Sequence, residues 1–538
     1  MLFKIIATVI YLAILSFLAY SGFKGTKNAS DYLVGGRQIH PVIMALSYGA
    51  TFISTSAIVG FGGNAGLFGM SLLWLTFLNI FVGVFIAFVF FGKRTRKMGL
   101  NLDAHTFPEL LGQRYQSKFI QGFSSILIFL IMPVYTAAVL KGGVEFMATT
   151  FQLNYDVTLF FLILILAVFV SMGGMKGVMY GDAFQAIIMF FGMAALIIVV
   201  YLQLGGIVSA NEKLTALASN PVAMEQMVGK TPPGFQGWTS MPVFNSPLWW
   251  TVVSSIVMGV GIGVLAQPQL VVRFMTVKSN RELNRAVVSG GVFILFMTGA
   301  AFTVGALSNV LFFEKFGQVA VTYAGGSDKI IPSLITEFLP SWFSTIFMLA
   351  LLAAALSTLT SLFHAIGTSF GRDFFEKTLG MKKNSLIVTR IGVIIAILIT
   401  AMLAFVAPRI EETDGLIVMG TSIFFGLCGA AFLPSYVGAI YFRNISRKAA
   451  ISSICTGAFV CLFWLFFIHS KAAKTIGLCP ALFGKDNLLV DTALAKLSQI
   501  DSIMIALPIS VIVIVVVGIL TKNQADKAHA DKCFDGVK

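Results

Sequence analysis

Charge is scarce in this chain: of 538 residues only 11% are Asp, Glu, Lys or Arg, against roughly 25% in soluble domains. That scarcity excludes a solvated surface over most of its length. Acidic residues are the rarer sign, 23 against 37 basic ones, giving a formal net charge of +14. Cysteine is rarer still. Cys428, Cys455, Cys461, Cys479 and Cys533 are scattered and odd in number, with no CxxC or Cys/His cluster, which argues against a disulfide framework or a zinc centre. The five histidines, His40, His105, His364, His469 and His529, are isolated. No acid–base pair or nucleophile constellation is present, so the chain is read as a non-enzyme. The glycine clusters "GFGGNAG" at Gly60 and "GVGIG" at Gly259 do not follow a strand of a βαβ unit and read as packing or helix-breaking glycines.

What the chain has in abundance is apolar length. It is 57% hydrophobic with a mean hydropathy of +0.90. Runs of about 18 residues or more, long enough to cross about 30 Å of hydrocarbon as helices, recur throughout. About thirteen are expected, near 2–22, 41–67, 71–92, 119–151, 155–172, 178–204, 248–272, 286–312, 340–370, 388–408, 415–442, 449–469 and 500–521. The first, although preceded by Lys4, is long enough to span and lacks a small-residue cleavage site, so it reads as a retained helix. None shows the short alternating segments of a membrane barrel. The fold class is therefore an all-α integral membrane protein.

Lys and Arg set the orientation. They collect in alternate loops: Lys93, Arg94, Arg96, Lys97 and Arg114; Arg273, Lys278, Arg281 and Arg285; Lys382, Lys383 and Arg390; Arg443, Arg447 and Lys448. Those loops are assigned to the cytoplasm. The opposite loops, including the acidic "RIEETDG" at Arg409, lack a basic excess, which puts the N-terminus outside and the C-terminal tail inside. The positive charge is thus a sidedness signal, and nucleic acid is excluded as a partner.

Polar interruptions inside apolar spans carry the function. Residues 44–70, "MALSYGATFISTSAIVGFGGNAGLFGM", hold Gly49, Gly60, Gly62 and Gly63 beside Ser47, Thr51, Ser54, Thr55 and Ser56. Unwound backbone in a membrane is tolerated only against protein or a wet cavity, so this stretch reads either as a broken helix or as close helix packing through small residues. Far downstream, Ser357, Thr358, Thr360 and Ser361 fall within about one helical turn. Hydroxyls facing the carbonyls of an unwound helix make a sodium site of modest affinity, which favours the broken helix. The spans also divide into two sets of five, about 41–204 and 248–442, separated by a long outside loop. An odd number makes the second set enter from the opposite side, an inverted repeat whose second set opens on another interruption, with Gly259, Gly261, Gly263 and Pro268 marking the expected break.

The segments "SYGATFISTSAIVGFGG", "GGMKGVMYGDAFQ", "GVGIGVLAQPQLVVRFMTVKS" and "AAALSTLTSLFHAIGTSFGRDFF" together resemble the sodium:solute symporter family, over about residues 1–525, with 526–538 as a cytoplasmic tail. The resemblance implies a five-plus-five inverted repeat with two broken helices and extra helices at the ends, a multi-pass protein of a bacterial-type inner membrane, and Na+ as coupling ion. It places the main sodium site at the carbonyls of Ala50, Ile53 and Ala354 and the hydroxyls of Ser357 and Thr358. It also implies a second sodium site, or sodium path, at Asp182 with Thr360 and Ser361. An ionisable residue inside a span is a functional candidate in its own right.

For the solute, the resemblance points to Phe52, Ser54, Ala57, Tyr135, Val260, Val264 and Gln267 as cavity residues. Phe52 and Ala57 replace the amides and acids of sugar-transporting members, which disfavours sugar. Val260 and Val264 replace aromatic residues of proline-transporting members, and "TFISTSAIVG" is similar to the pantothenate branch. Lys141 lies roughly 15 Å into its span with Glu145 one turn on. The two read either as a mutually neutralising pair or as a site in which Lys141 attracts a substrate carboxylate between Tyr135 and Phe52. The expectation is import of a small organic carboxylate, monocarboxylate or pantothenate-like, by alternating access. The alternatives are a proline or other amino-acid symporter, or a solute-binding sensor module, for which about seventeen residues after the last span leave no room for a kinase domain. Partners beyond the solute and the bilayer are not expected.

Overall fold

The computed structural model describes residues 2–26, 28–381, 385–409, 415–522 and 526–537. The centre of the acidic outer loop, Ile410 to Asp414, and Lys382 and Lys383 lie outside the described residues. Every principal element is helical. The first part of the chain forms α1 (Leu2–Lys24), α2 (Pro41–Phe52), α3 (Ser56–Asn101), α4 (Phe107–Arg114), α5 (Lys118–Phe151) and α6 (Tyr155–Gln203). The second part forms α7 (Pro247–Ala266), α8 (Pro268–Phe274), α9 (Asn280–Phe316), α10 (Trp342–Thr378), α11 (Ser385–Val406) and α12 (Leu416–Tyr441). Beyond it lie α13 (Arg447–Ile468), α14 (Ser502–Leu520) and α15 (Lys527–Phe534).

Among the described residues 11 helices are long and apolar enough to span, with Pro41–Phe52 and Tyr155–Ala167 as shorter apolar helices. The sequence suggests about thirteen, and the two counts differ at helices that carry a glycine bend. The spans near 41–67 and 71–92 meet inside α3, which Gly69 (φ 76, ψ −157) interrupts before a turn to Leu72. Those near 155–172 and 178–204 share α6, bent at Gly174, where φ 54 and ψ 178 are open to glycine and strained for other residues.

Polarity is inverted relative to a water-soluble protein. Large apolar side chains such as Phe77, Phe160, Phe191, Leu398 and Phe459 face outward, while Ser47, Thr51, Asp182, Arg273, Ser357 and Thr358 are almost wholly buried. A bilayer solvates the first group, and the second must find partners within the bundle. α10 packs along α6 and α5, α9 lies against α2 and α3, α12 lies against α5, and α13 pairs with α14.

Both expected breaks exist, and glycine makes neither. In the first, α2 ends at Ile53 (φ −85, ψ 84). Ser54 accepts the Ser56 backbone N–H on its own Oγ at 3.1 Å, a local bond that competes with the helix ladder. In the second, α7 ends at Gln267 (φ −72, ψ 121), and Pro268 starts α8 at its first position, where a missing N–H costs nothing. The neighbouring glycines serve close packing instead: a Cβ on Gly263 would lie 2.2 Å from the Phe425 carbonyl oxygen, and one on Gly305 would lie 1.9 Å from that of Gly62. Gly305→Ala is therefore expected to force α9 away from α3, at an overpacking cost of about 1–3 kcal/mol. The check is a lowered melting temperature of the detergent-solubilised protein.

Basic residues gather at one end of the bundle. Arg96 bonds the Lys278 carbonyl and Asn280, Arg94 the Ile440 carbonyl, and Arg114 the carbonyls of Ala439, Phe442 and Arg443. α15 docks there, with Asp531 paired to Arg443 at 2.8 Å. Arg273 is the exception to the expected loop grouping: it sits on α8, 1% exposed, inside the bundle.

Candidate functional site

The frayed end of α2 faces the middle of α10. Ser357 Oγ donates to the Ala50 carbonyl at 3.0 Å and to that of Ala354 at 3.3 Å. Thr358 Oγ1 reaches the carbonyls of Ala50 at 3.4 Å and Thr51 at 3.1 Å. Ala50, Ala354, Ser357 and Thr358 thus form one oxygen cluster, joined by Thr51, which the sequence reading did not include. Ile53 is buried at the adjoining break. Hydroxyls and carbonyls without nitrogen or sulfur suit a small hard cation.

The second expected cation site is different in kind. Asp182 Oδ2 accepts from Ser47 Oγ at 2.7 Å, Thr51 Oγ1 at 3.3 Å and Ser361 Oγ at 3.4 Å, and from Arg273 at 2.9 Å. The guanidinium also donates to Thr51 Oγ1 and Ser361 Oγ, both at 2.6 Å, and to Ser47 Oγ at 3.0 Å. Asp182 and Ser361 therefore come together as expected, but around an arginine. Thr360 is not part of the group: its hydroxyl bonds the Leu356 and Ser357 carbonyls of its own helix, the usual resting place of a threonine with no other partner.

Beside the break lies a small cavity, lined by Phe52, Ser54, Ala57, Tyr135 and Val260 together with Ser56, Phe61, Asn79, Thr298, Phe302, Thr421 and Phe425. Tyr135 is stacked on Phe424 at 5.5 Å and set edge-on to Phe425 at 5.4 Å, which fixes one wall. Ser56 Oγ and Asn79 Oδ1 are buried without a protein partner among the described residues. A buried polar atom left unpaired is costly unless a ligand or water meets it. No acidic or basic side chain lines this cavity.

Three expected solute residues lie elsewhere. Val264 packs against Gly83. Gln267 accepts from Gln269 at 2.6 Å. Lys141 is neither paired with Glu145 nor turned to the cavity: its ammonium bonds Asp328 at 2.7 Å, both side chains being buried. The i, i+4 spacing suggested Glu145, but a partner 187 positions away in sequence leaves no local trace.

Two further spaces flank the cavity. Towards the end bearing Asp328, a second cavity of about 250 Å³ is bounded by Asn64, Phe68, Ser422, His469 and Asp501. Towards the basic end, Arg273, Ser361, His364 and Thr368 meet the start of α4 across a much smaller space. There Thr106 Oγ1 and Gln121 both donate to Asp373, at 2.7 and 3.0 Å, and Arg372 pairs with Glu109 at 3.2 Å. Burial would raise the Glu109 carboxyl, but hydrogen bonds from His105 and the charge of Arg372 outweigh it and hold it down at about 2.

The sequence reading named Ser47 only as a hydroxyl of the first interruption and Arg273 only as a loop charge, and it missed Asn79. Arg273 carried a signal, a lone charge five residues after the Gln267–Pro268 break in the otherwise apolar "PQLVVRF"; intramembrane charges are functional by default.

Two discontinuous helices meeting a hydroxyl-rich helix around a central cavity define a broken-helix secondary transporter. The sodium:solute symporter family profile matches residues 32–457, and the chain belongs to that family. It is accordingly a multi-pass membrane protein whose coupling ion is Na+. Among curated proteins it is similar to sodium/proline symporter 2 of Staphylococcus saprophyticus, 27% identical and covering 87% of each chain. The sodium/proline symporter of Staphylococcus aureus is 26% identical, covering 86% of each. The fold is shared with a sodium-coupled sialic acid symporter in a substrate-bound outward-open state, TM-score 0.73 at 18% identity, covering 97% of each chain.

Proposed function

We propose that the protein imports a small zwitterionic amino acid, proline being the first to test, together with Na+ held by the oxygens of Ala50, Ile53, Ala354, Ser357 and Thr358. The observation that carries this reading is the uncharged, aromatic-walled cavity beside that oxygen cluster. A zwitterion has no net charge to neutralise, so a pocket of Phe52, Phe61, Tyr135, Phe302 and Phe425 can take its apolar body. Ser56 and Asn79 can meet its polar ends, and the adjacent cation its carboxylate. The names of the two curated relatives support the same class. A free carboxylate as solute loses its main argument, because Lys141 is engaged by Asp328.

The gathering of Lys and Arg at the end of α4 and α8 supports placing that end in the cytoplasm. The five-plus-five repeat over about 41–204 and 248–442 then alternates access around the two breaks. Sodium-driven uptake into proteoliposomes, with proline, pyruvate, lactate, acetate and pantothenate offered in parallel, tests the solute. Proline uptake that collapses without Na+ is expected. Uptake of a monocarboxylate or pantothenate with proline inert would overturn it.

A further inference from the structure

Four oxygens from three helices converge on one point: Ser47 Oγ and Thr51 Oγ1 from α2, Asp182 Oδ2 from α6 and Ser361 Oγ from α10. One carboxylate and three hydroxyls are the kind of ligands that a hard monovalent cation takes. The guanidinium of Arg273 fills it from a fourth helix, α8, with its remaining reach taken by the Gln269 carbonyl. Both charges are 1% exposed. Burial at that depth is tolerated because each charge neutralises the other and nearly every polar atom is bonded. A sodium ion entering the same cluster would place two positive charges on one carboxylate in a medium that screens poorly.

The cluster is also wired to the first one. Thr51 accepts Thr358 on its carbonyl and Arg273 on its hydroxyl, so a single residue touches both the oxygen cluster proposed for sodium and the guanidinium. Resting on that proposed sodium cluster, we propose that Arg273 is a tethered cation standing where a second sodium ion would bind, so that the carrier takes one Na+ per solute. The arginine is a coupling determinant: its fixed charge, rather than a mobile ion, compensates Asp182.

The test is equilibrium binding of radioactive sodium to the full chain in nanodiscs, without solute. The unmodified protein is expected to hold one ion. Arg273→Gln, which empties the cluster while keeping Asp182, is expected to hold two. Arg273→Lys, which keeps the charge, and Arg273→Gln combined with Asp182→Asn, which removes the carboxylate, are both expected to hold one. Two ions on the unmodified protein, or a folded Arg273→Gln protein that still holds one, would overturn the inference. If Arg273→Gln does not fold, the count on the unmodified protein decides alone. No bound sodium at all would instead sink the sodium-cluster reading on which the inference stands.

Discussion

Ser357→Ala is expected to lower the apparent sodium affinity of uptake by roughly tenfold to a hundredfold, the range for one hydrogen-bond-strength contact to a charge at about 1.5–3 kcal/mol. Thr358→Ala is expected to do the same. Each loses one oxygen that faces the end of α2, and neither change disturbs helix formation, since alanine is the best helix former. Thr360→Ala provides the internal comparison. Its hydroxyl is spent on the Leu356 and Ser357 carbonyls, so sodium dependence should stay within about twofold of the unmodified protein. Equal sodium affinity in all three variants would show that the α2–α10 cluster is structural only.

Lys141→Met is expected to cost about 3–5 kcal/mol of stability, because it leaves Asp328 as a buried charge without its ammonium. The double change Lys141→Met with Asp328→Asn should recover most of that loss, since replacing both partners removes the stranded charge. Glu145→Gln should be nearly silent. Melting temperature in detergent and surviving uptake report both quantities. If Lys141 instead read the solute, the single variant would keep its stability and lose solute affinity, and the double variant would stay inactive.

The membrane class and the two interruptions were legible because hydropathy and hydroxyl clustering are local properties. Ser357 and Thr358 could be assigned to α10 from spacing alone. Three things were not legible. The glycines of "SYGATFISTSAIVGFGG" and "GVGIG" looked like breaks, yet in membrane bundles the same residue serves close approach, and only tertiary packing separates the uses. The phase of several helices also shifts at wide turns, as in Ser56–Phe61 and Thr251–Val260, so a regular 3.6-residue wheel drifts off the true inner face. Finally, the partners of Lys141 and Asp182 are distant in sequence, and Arg273 was grouped with its basic neighbours Lys278 and Arg281 because a charge beside a loop ordinarily belongs to the loop.

The carboxyl of Glu109, held at about 2 between His105 and Arg372, keeps its charge well into acid. A carboxylate held below its unfolded value adds stability that is fully present above that value and is lost only as pH falls through the folded one. Between pH 8 and pH 5 its ion pair with Arg372 is therefore not loosened by protonation of Glu109. The Glu109–Arg372 contact that joins α4 to α10 would therefore part through movement of the helices rather than through loss of the carboxylate's charge.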